Sequence, residues 1–519
     1  MTAAIALSSL ERPNDQGREC FEHIVGYLES GRAFSMSHSE LERELEKKGR
    51  ELMRILLQEH LNSRSPGLCN QQVCGVDGVD RPQVRLHTRK LDTVFGTVSV
   101  SRSGYGQEGV ESLHPMDAEL NLPDERYSLE LRRRVAEEAS KSSFDETRES
   151  IDKNTGGHVP KRQIEELVKR ASQDFDAFYE TRRFNPAEGK GTGSVLVISA
   201  DGKGVVMHKQ DLREQTRKAA EKREQKMGKR LSKGEKKNAK RMATVAAVYT
   251  TDPFERAPEN LVAESGCTLT KTQRPRPEHK RVWASIEKTP EQVIGEAFAE
   301  AGYRDPTHEK KWVALVDGNN NQISILRRMA KDKGVELTVI VDIIHVIEYL
   351  WDAGRVFHPK SGPELENWVQ HRLLRVLQGK AGLMAGGMRR SATRKGLSND
   401  ARKRVDDCAK YLLNKSPYLH YEHYLSQGFP IGTGVIEGAC RYLVKDRMEV
   451  TGAKWRLEGA EAILCLRALR TSHDFDEYWD FHEACEYKRN HQNLYVGSVV
   501  PPTVTPRPSP KRNYLKVIK

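Results

Sequence analysis

One pattern constrains this chain more than any other: a short, β-branched apolar run that ends in aspartate, used three times. It occurs at Val195-Leu196-Val197-Ile198-Ser199-Ala200-Asp201-Gly202, at Trp312-Val313-Ala314-Leu315-Val316-Asp317-Gly318, and at Leu337-Thr338-Val339-Ile340-Val341-Asp342. Runs this short, bounded by turn residues, read as buried strands rather than helices. An aspartate leaving such a strand lies at the rim of a sheet. In an open sheet, neighbouring strand ends converge on one crevice. The pattern therefore predicts three carboxylates gathered in one place.

The flanking sequence supplies the rest of a layered domain. Thr244–Thr250 and Arg281–Ile286 read as further strands, and Pro290–Ala301 and Gln322–Ala330 as helices. The resulting order, β-β-β-α-β-α-β, predicts an α/β fold (α+β overall): a mixed sheet with helices on its faces. Upstream, Ser39–Leu61 has helical spacing, with Ser39 and Glu42 as a capping pair. Thr93–Val100 reads as a hairpin turning near Gly96. Helices are expected over Tyr127–Ser140, Phe144–Ile151 and from Val159 to about Tyr179. The last two flank the Gly156-Gly157 turn, and Lys161 and Arg162 open the third helix. That is helix-turn-helix grammar, and equally the grammar of a plain helical hairpin with a solvated basic face. From His345 to Leu425 the pattern is helical, punctuated by Gly362-Pro363, Gly386-Gly387 and Ser416-Pro417. A turn at 430–434 leads into helix from Val435 to about Thr471, interrupted near Gly452. Asn185–Gly193 reads as a linker, Lys209–Arg241 as a charged arm, and the Pro-rich stretch from Val499 as a disordered basic tail.

Charge and cysteine usage narrow the setting. The 519 residues carry 85 Lys and Arg against 73 Asp and Glu, a net charge of +12. Such a balance favours a polyanionic partner. No apolar run approaches the roughly 20 residues that span a bilayer, so no membrane partner is expected. Met1–Leu10 lacks the basic start of a signal peptide. The eight cysteines are scattered singly, as in a reducing cytoplasm. Cys69 and Cys74, flanked by His60 and His87, are not spaced as a C-x-x-C, and no second pair follows. Zinc is not expected.

Three converging carboxylates in a basic protein suit a hard divalent cation, Mg²⁺ or Mn²⁺. A further ligand is available at Glu437, in the first turn of a helix within Gly432-Thr433-Gly434-Val435-Ile436-Glu437-Gly438. Asp342-Ile343-Ile344-His345 sets a histidine three residues after the third aspartate, where it could orient a carboxylate or merely fill the core.

The segments ISADGKG, ALVDGNN, VDIIHVIEYLW and GTGVIEGACRYLVKDRMEVTGAKW together resemble a DDE transposase of a bacterial insertion sequence, most of all the ISKra type. The resemblance spans about residues 85 to 480. It implies an RNase H-like catalytic core with an all-helical insertion. It also implies catalytic and metal-holding roles for Asp201, Asp317 and Glu437, with Asp342 and His345 as its D-x-x-H motif. Relatives often carry cysteine pairs in the N-terminal part; here Tyr105-Gly106-Gln107-Glu108 follows the hairpin without them.

The implied layout has six segments. Residues 1–125 hold helix and hairpin, and 126–184 form a helical DNA-binding region in which Lys161 and Arg162 contact DNA. The first part of the core is 194–350, the insertion 351–430, the Glu-bearing helices 431–490, and a basic tail 495–519. The implied activity is metal-assisted cleavage and joining of insertion-sequence ends in a bacterial cytoplasm. The partners would be double-stranded DNA, as terminal inverted repeats and target, and further copies of the chain in a synaptic complex. Two alternatives remain open at this point: an RNase H-like structure-specific DNA nuclease, or a DNA-binding regulator derived from a transposase.

Overall fold

In the computed structural model, which describes residues 16–183, 192–221, 239–263 and 274–504, β4 (Val195–Val206) is the centre of a mixed five-stranded sheet. The strand order is β6-β5-β4-β7-β8, with β5 (Lys240–Thr251), β6 (Glu278–Ser285), β7 (Lys311–Val316) and β8 (Leu337–Val341). β4, β5 and β6 run antiparallel, and β7 and β8 pair parallel beside β4. Val195 to Ala200 are all buried. Successive strand residues point to opposite faces, so both faces of the sheet are covered. Helices Pro290–Arg304 and Asn320–Asp332 make the connections from β6 to β7 and from β7 to β8. The expected mixed α/β architecture and element order are both present.

The chain divides into two units, 1–174 with 476–519, and 175–475. The first contains a three-stranded antiparallel sheet of β1 (Gln83–Thr93), β2 (Gly96–Gln107) and β3 (Val110–Leu113). Its hairpin closes with Thr93 opposite Gly96, as the turn chemistry predicts. Leu61, Leu91, Val98, Val100, Met116 and Leu122 form one of its apolar clusters.

Four local expectations are corrected. The long N-terminal helix spans His38–Arg64 and is boxed by Ser37 and Glu40, not Ser39 and Glu42. Both pairs fit S-x-x-E, and the earlier one was chosen by the fold. The third basic helix stops at Ser172, and a new one begins at Phe175. Asp174 sits at the break, its carboxylate held by His482 and Arg489. Gly386-Gly387 does not punctuate the insertion but lies inside helix Ala381–Arg394. Burial of Ala385, Met388 and Ala392 outweighs the cost of about 1 kcal/mol per glycine. The tail from Val499 is ordered through Val504, whose N–H donates to the Leu68 carbonyl at 2.6 Å. Thr503 meanwhile donates to Glu119. The Met1–Leu10 start, most of the Asn185–Gly193 linker, most of the Lys209–Arg241 arm and the tail beyond Val504 lie outside the described residues.

The 155–160 turn has a packing role. Its Gly156 N–H donates to the Val94 carbonyl at 2.8 Å, and a Cβ there would lie 2.3 Å from the Phe95 oxygen. Glycine is therefore needed for the turn to dock on the β1–β2 hairpin. Lys161 Nζ is paired with Asp145 at 2.7 Å, and Arg162 is exposed.

A buried ion cluster pins the β6 edge of the large sheet. Glu300 accepts from Arg281 and Arg304, with nitrogen–oxygen distances of 2.5 and 2.7 Å. Burial alone would raise the Glu300 carboxyl, but the two guanidinium charges more than reverse it, from 4.5 to about 2. A pKa depressed by folding stabilises the fold above the unfolded value and stops doing so as pH falls through the folded one. We therefore expect this contribution in full above pH 4.5 and its loss on descent towards about pH 2. Glu300→Gln strands the buried Arg281 guanidinium and takes a partner from Arg304, and should cost about 3–5 kcal/mol in urea unfolding. It should also flatten the acid limb of the stability profile. An unchanged midpoint would show the pair to be dispensable.

Candidate active site

The three aspartates do reach one end of the sheet, by different routes. β4 and β7 pair in register as far as Ser199 opposite Leu315. Two residues further along each strand bring Asp201 level with Asp317. β7 stops there, and Asp317 leaves the sheet. β4 does not stop: Asp201 lies within it, opposite Val245 of β5, and pairing continues to Val206 opposite Lys240. The expectation that Asp201-Gly202 is a strand exit is thus corrected. Only the β7 side ends at Asp201, which leaves that side chain at a rim while its backbone stays in the ladder. On the far side, the Asp342 N–H donates to the Val316 carbonyl at 2.8 Å, which fixes the end of β8 beside Asp317.

Each carboxylate has a distinct environment. Asp201 accepts the Gly202 N–H at 2.6 Å on one oxygen and the Cys440 thiol at 3.2 Å on the other. Burial, then the charge of Asp201, pushes the Cys440 thiol up, so it remains a protonated donor. Asp317 accepts the Asn319 N–H at 2.8 Å, and its backbone carbonyl takes the Tyr411 hydroxyl at 3.2 Å. Gly318 follows at φ +94°, where a Cβ would sit 3.0 Å from that hydroxyl. Glu437 is exposed, with one oxygen 3.3 Å from the Thr433 hydroxyl, whose proton is directed at the closer Asp342. Partial loss of hydration, then the charge of Asp342, raises its pKa.

Asp342 differs from the other three. It is 0 % exposed and caps helix Ile343–Phe357. One oxygen accepts the N–H groups of Ile344 and Thr433, both at 3.1 Å. The other takes the Thr433 hydroxyl at 2.7 Å and His345 Nδ1 at 3.1 Å. Four donors occupy a carboxylate's four acceptor sites. Burial would raise this carboxyl, but the hydrogen bonds from His345, Thr433 and Ile344 win, and its pKa is lowered. The same Asp342 bond, opposed by burial and aided by nearby carboxylate charge, raises His345 to about 9.

Asp342, His345 and Glu437 each offer a ligand atom within 4.8 Å of the other two. Among the described residues, Asp201, Asp317 and Glu437 do not form a group that tight. The saturated carboxylate of Asp342 nevertheless makes it a holder of Thr433 and His345 rather than a free ligand. Asp201, Asp317 and Glu437 keep unused oxygen lone pairs. Among the described residues none of the three makes an ion pair with Lys or Arg. Lys415, nearby, bonds to Asn320 instead. Carboxylates free of Lys and Arg, on an all-oxygen donor set, fit a hard divalent cation.

The helix that bears Glu437 is tied to both neighbours by side chains that the sequence did not single out. Thr433, one turn earlier, joins it to Asp342, and Cys440, three residues later, joins it to Asp201. Both are at helical spacing from Glu437, so a search one turn either side of the glutamate would have found them. A π-helical turn, Cys440–Lys445, follows, and Arg467 donates to the Tyr442 and Leu443 carbonyls. Trp455 then bridges back to β4, its N–H donating to the Val206 carbonyl at 3.0 Å. Tyr411, stacked on Tyr349 at 4.1 Å, reaches Asp317 from 94 positions away, and no sequence signal announced it.

No protein-family model matches the chain, and no curated protein matches it in sequence. Among solved structures, the chain is similar to the Drosophila P element transposase in its strand transfer complex. The match has 10% identity, covers 72% of this chain and 82% of that one, and has a TM-score of 0.23. The fold is accordingly read from this chain's own strand order. No helix among the described residues is long and apolar enough to cross a membrane.

Proposed function

We propose that the chain is a DNA transposase of the DDE type, cutting and joining the ends of its own insertion sequence. The observation that carries the reading is three carboxylates, on β4, after β7 and on the Glu437 helix, none of which pairs with a Lys or Arg among the described residues, in a protein of net charge +12. Asp201, Asp317 and Glu437 would hold Mg²⁺ or Mn²⁺. When bound, the ion supplies positive charge where a phosphodiester gains negative charge in the transition state.

The chemistry has two displacements. Water adds to phosphorus at the element end and the P–O3′ bond breaks, leaving a free 3′-OH. That hydroxyl then attacks a target phosphodiester, forming a new P–O bond as the target's own P–O3′ bond breaks. The residues of the chain contribute placement. Asp342 fixes the His345 ring through Nδ1, and the other ring nitrogen is left to donate to a phosphate oxygen. The sequence resemblance supplies the element ends and the synaptic oligomer, and the Lys161–Arg162 helix is the proposed reader of the ends.

The test is direct. The protein, Mg²⁺ and a duplex spanning the flank of its own gene should yield nicks with 3′-OH termini and, with added target, joined strands. Nicking without joining would assign it as a nuclease. For the end reader, changing Lys161 and Arg162 together to Ala should weaken DNA binding and lower the salt slope by about two phosphate contacts' worth. An unchanged slope would remove that helix from the DNA.

A further inference from the structure

We infer that a second cavity in the 175–475 unit, at the other end of the sheet from Asp201, binds a phosphate-bearing anion. The site is separate from the carboxylates and does not rest on their reading. Asp201 lies opposite Val245 of β5, whereas the cavity is lined by Thr250 of the same strand, five residues or about 17 Å further along. Its volume is about 430 Å³, within the range of small-ligand sites.

The lining is positively charged after its own acids are satisfied. Four cations, Arg182, Lys280, Arg281 and Arg304, face two carboxylates, Glu300 and Asp474. Glu300 is taken by Arg281 and Arg304. Asp474 is taken by Arg182 at 2.7 Å and the Tyr179 hydroxyl at 2.7 Å. Among the described residues Lys280 has no carboxylate: its Nζ meets the Tyr442 hydroxyl at 3.4 Å and lies 5.4 Å from that ring. Arg281 is 5% exposed, lies 3.4 Å over the Tyr179 ring, and among the described residues keeps a buried Nε–H without an acceptor. The charge of Arg281 is met by Glu300, but a buried N–H left without an acceptor is costly unless a ligand supplies one.

The backbone adds an independent sign. His279 and His473, on opposite sides in sequence, both line the cavity and both adopt left-handed conformations, at φ 45° and 63°. Positive φ is uncommon outside glycine, although histidine is among the types that adopt it more readily, and such backbone conformations cluster at ligand sites. Together with Lys280 they bring donors from two separate segments. Donors converging from several directions suit a tetrahedral oxyanion better than a planar carboxylate, which one guanidinium fork satisfies. The anion has two sources, free phosphate in solution or the terminal phosphate of a DNA strand.

Titration of inorganic phosphate into the full chain, followed by calorimetry, tests the site. Saturable binding is expected. Lys280→Gln and His279→Asn, the latter retaining a side chain that tolerates the left-handed backbone, should each weaken it about tenfold, one charge-assisted hydrogen bond's worth. Both positions lie on the solvent side, so melting temperatures should match the parent. A duplex with 5′-phosphate that binds more tightly than its 5′-hydroxyl twin, with the difference lost in both variants, assigns the site to DNA ends; equal binding of the two duplexes assigns it to the free anion. Absence of saturable phosphate binding, or binding unchanged in both variants, overturns the inference.

Discussion

Asp317→Asn should leave a folded protein whose nicking and joining rates have fallen about a thousandfold or more. The amide keeps an oxygen for the Asn319 N–H, so the turn that follows β7 retains its 2.8 Å bond. What disappears is one of three negative charges that pair with no Lys or Arg among the described residues. Lewis-acid stabilisation of a phosphoryl transition state is worth several kcal/mol, and each 1.36 kcal/mol is a factor of about ten in rate. Two measurements separate chemistry from folding. Single-turnover cleavage of an end duplex reads the rate. Thermal denaturation with and without Mg²⁺ reads binding, because a cation held only by the native state raises the melting temperature in proportion to its occupancy. The parent should show that shift and the variant should lose most of it. A variant cleaving within tenfold of the parent would sink the assignment of Asp317 as a metal holder.

Much of this site could be read before any coordinates, because β-branched apolar runs and terminal aspartates are strong local signals. Asp317 and Asp342 leave strands as that grammar says. Asp201 does not, and the reason is instructive. Asp-Gly normally marks a turn, but here β5 stays alongside β4 for five more rungs and keeps its backbone bonded. Gly202 and Gly204 then serve close approach instead: a Cβ at Gly204 would meet the Lys240 side chain at 2.8 Å. The choice between Ser37 and Ser39 as cap was undetermined locally, since both have glutamate three residues on. The division of labour among the acids was not legible at all. Asp342 lies in a run as apolar as the other two, and only the Thr433 hydroxyl and N–H, 91 positions away, reveal that its oxygens are consumed. Likewise, the π-helical turn after Glu437 has its Tyr442 and Leu443 carbonyls taken by Arg467, a contact with no local sequence pattern.

That division of labour yields the second large effect. His345→Gln should slow strand cutting about tenfold to a hundredfold while leaving the Mg²⁺ dependence of the rate in place. His345 is anchored at Nδ1 by Asp342, its side chain is 35% exposed, and among the described residues its other nitrogen has no partner. A hydrogen bond from a charged donor contributes about 1.5–3 kcal/mol, which sets the expected range. An imidazole is also a poor ligand for Mg²⁺, which takes oxygen donors. Loss of His345 should therefore lower the plateau of a cleavage-against-Mg²⁺ titration and not move its midpoint. Asp342→Asn should produce the same lowered plateau together with reduced stability, because it also loosens Thr433 and the start of helix Ile343–Phe357. The two variants thus distinguish a group that meets the substrate from the group that positions it. If excess Mg²⁺ restores His345→Gln to the parental rate, the histidine supports the cation after all, and the tight Asp342–His345–Glu437 cluster, not Asp201, Asp317 and Glu437, is the metal centre.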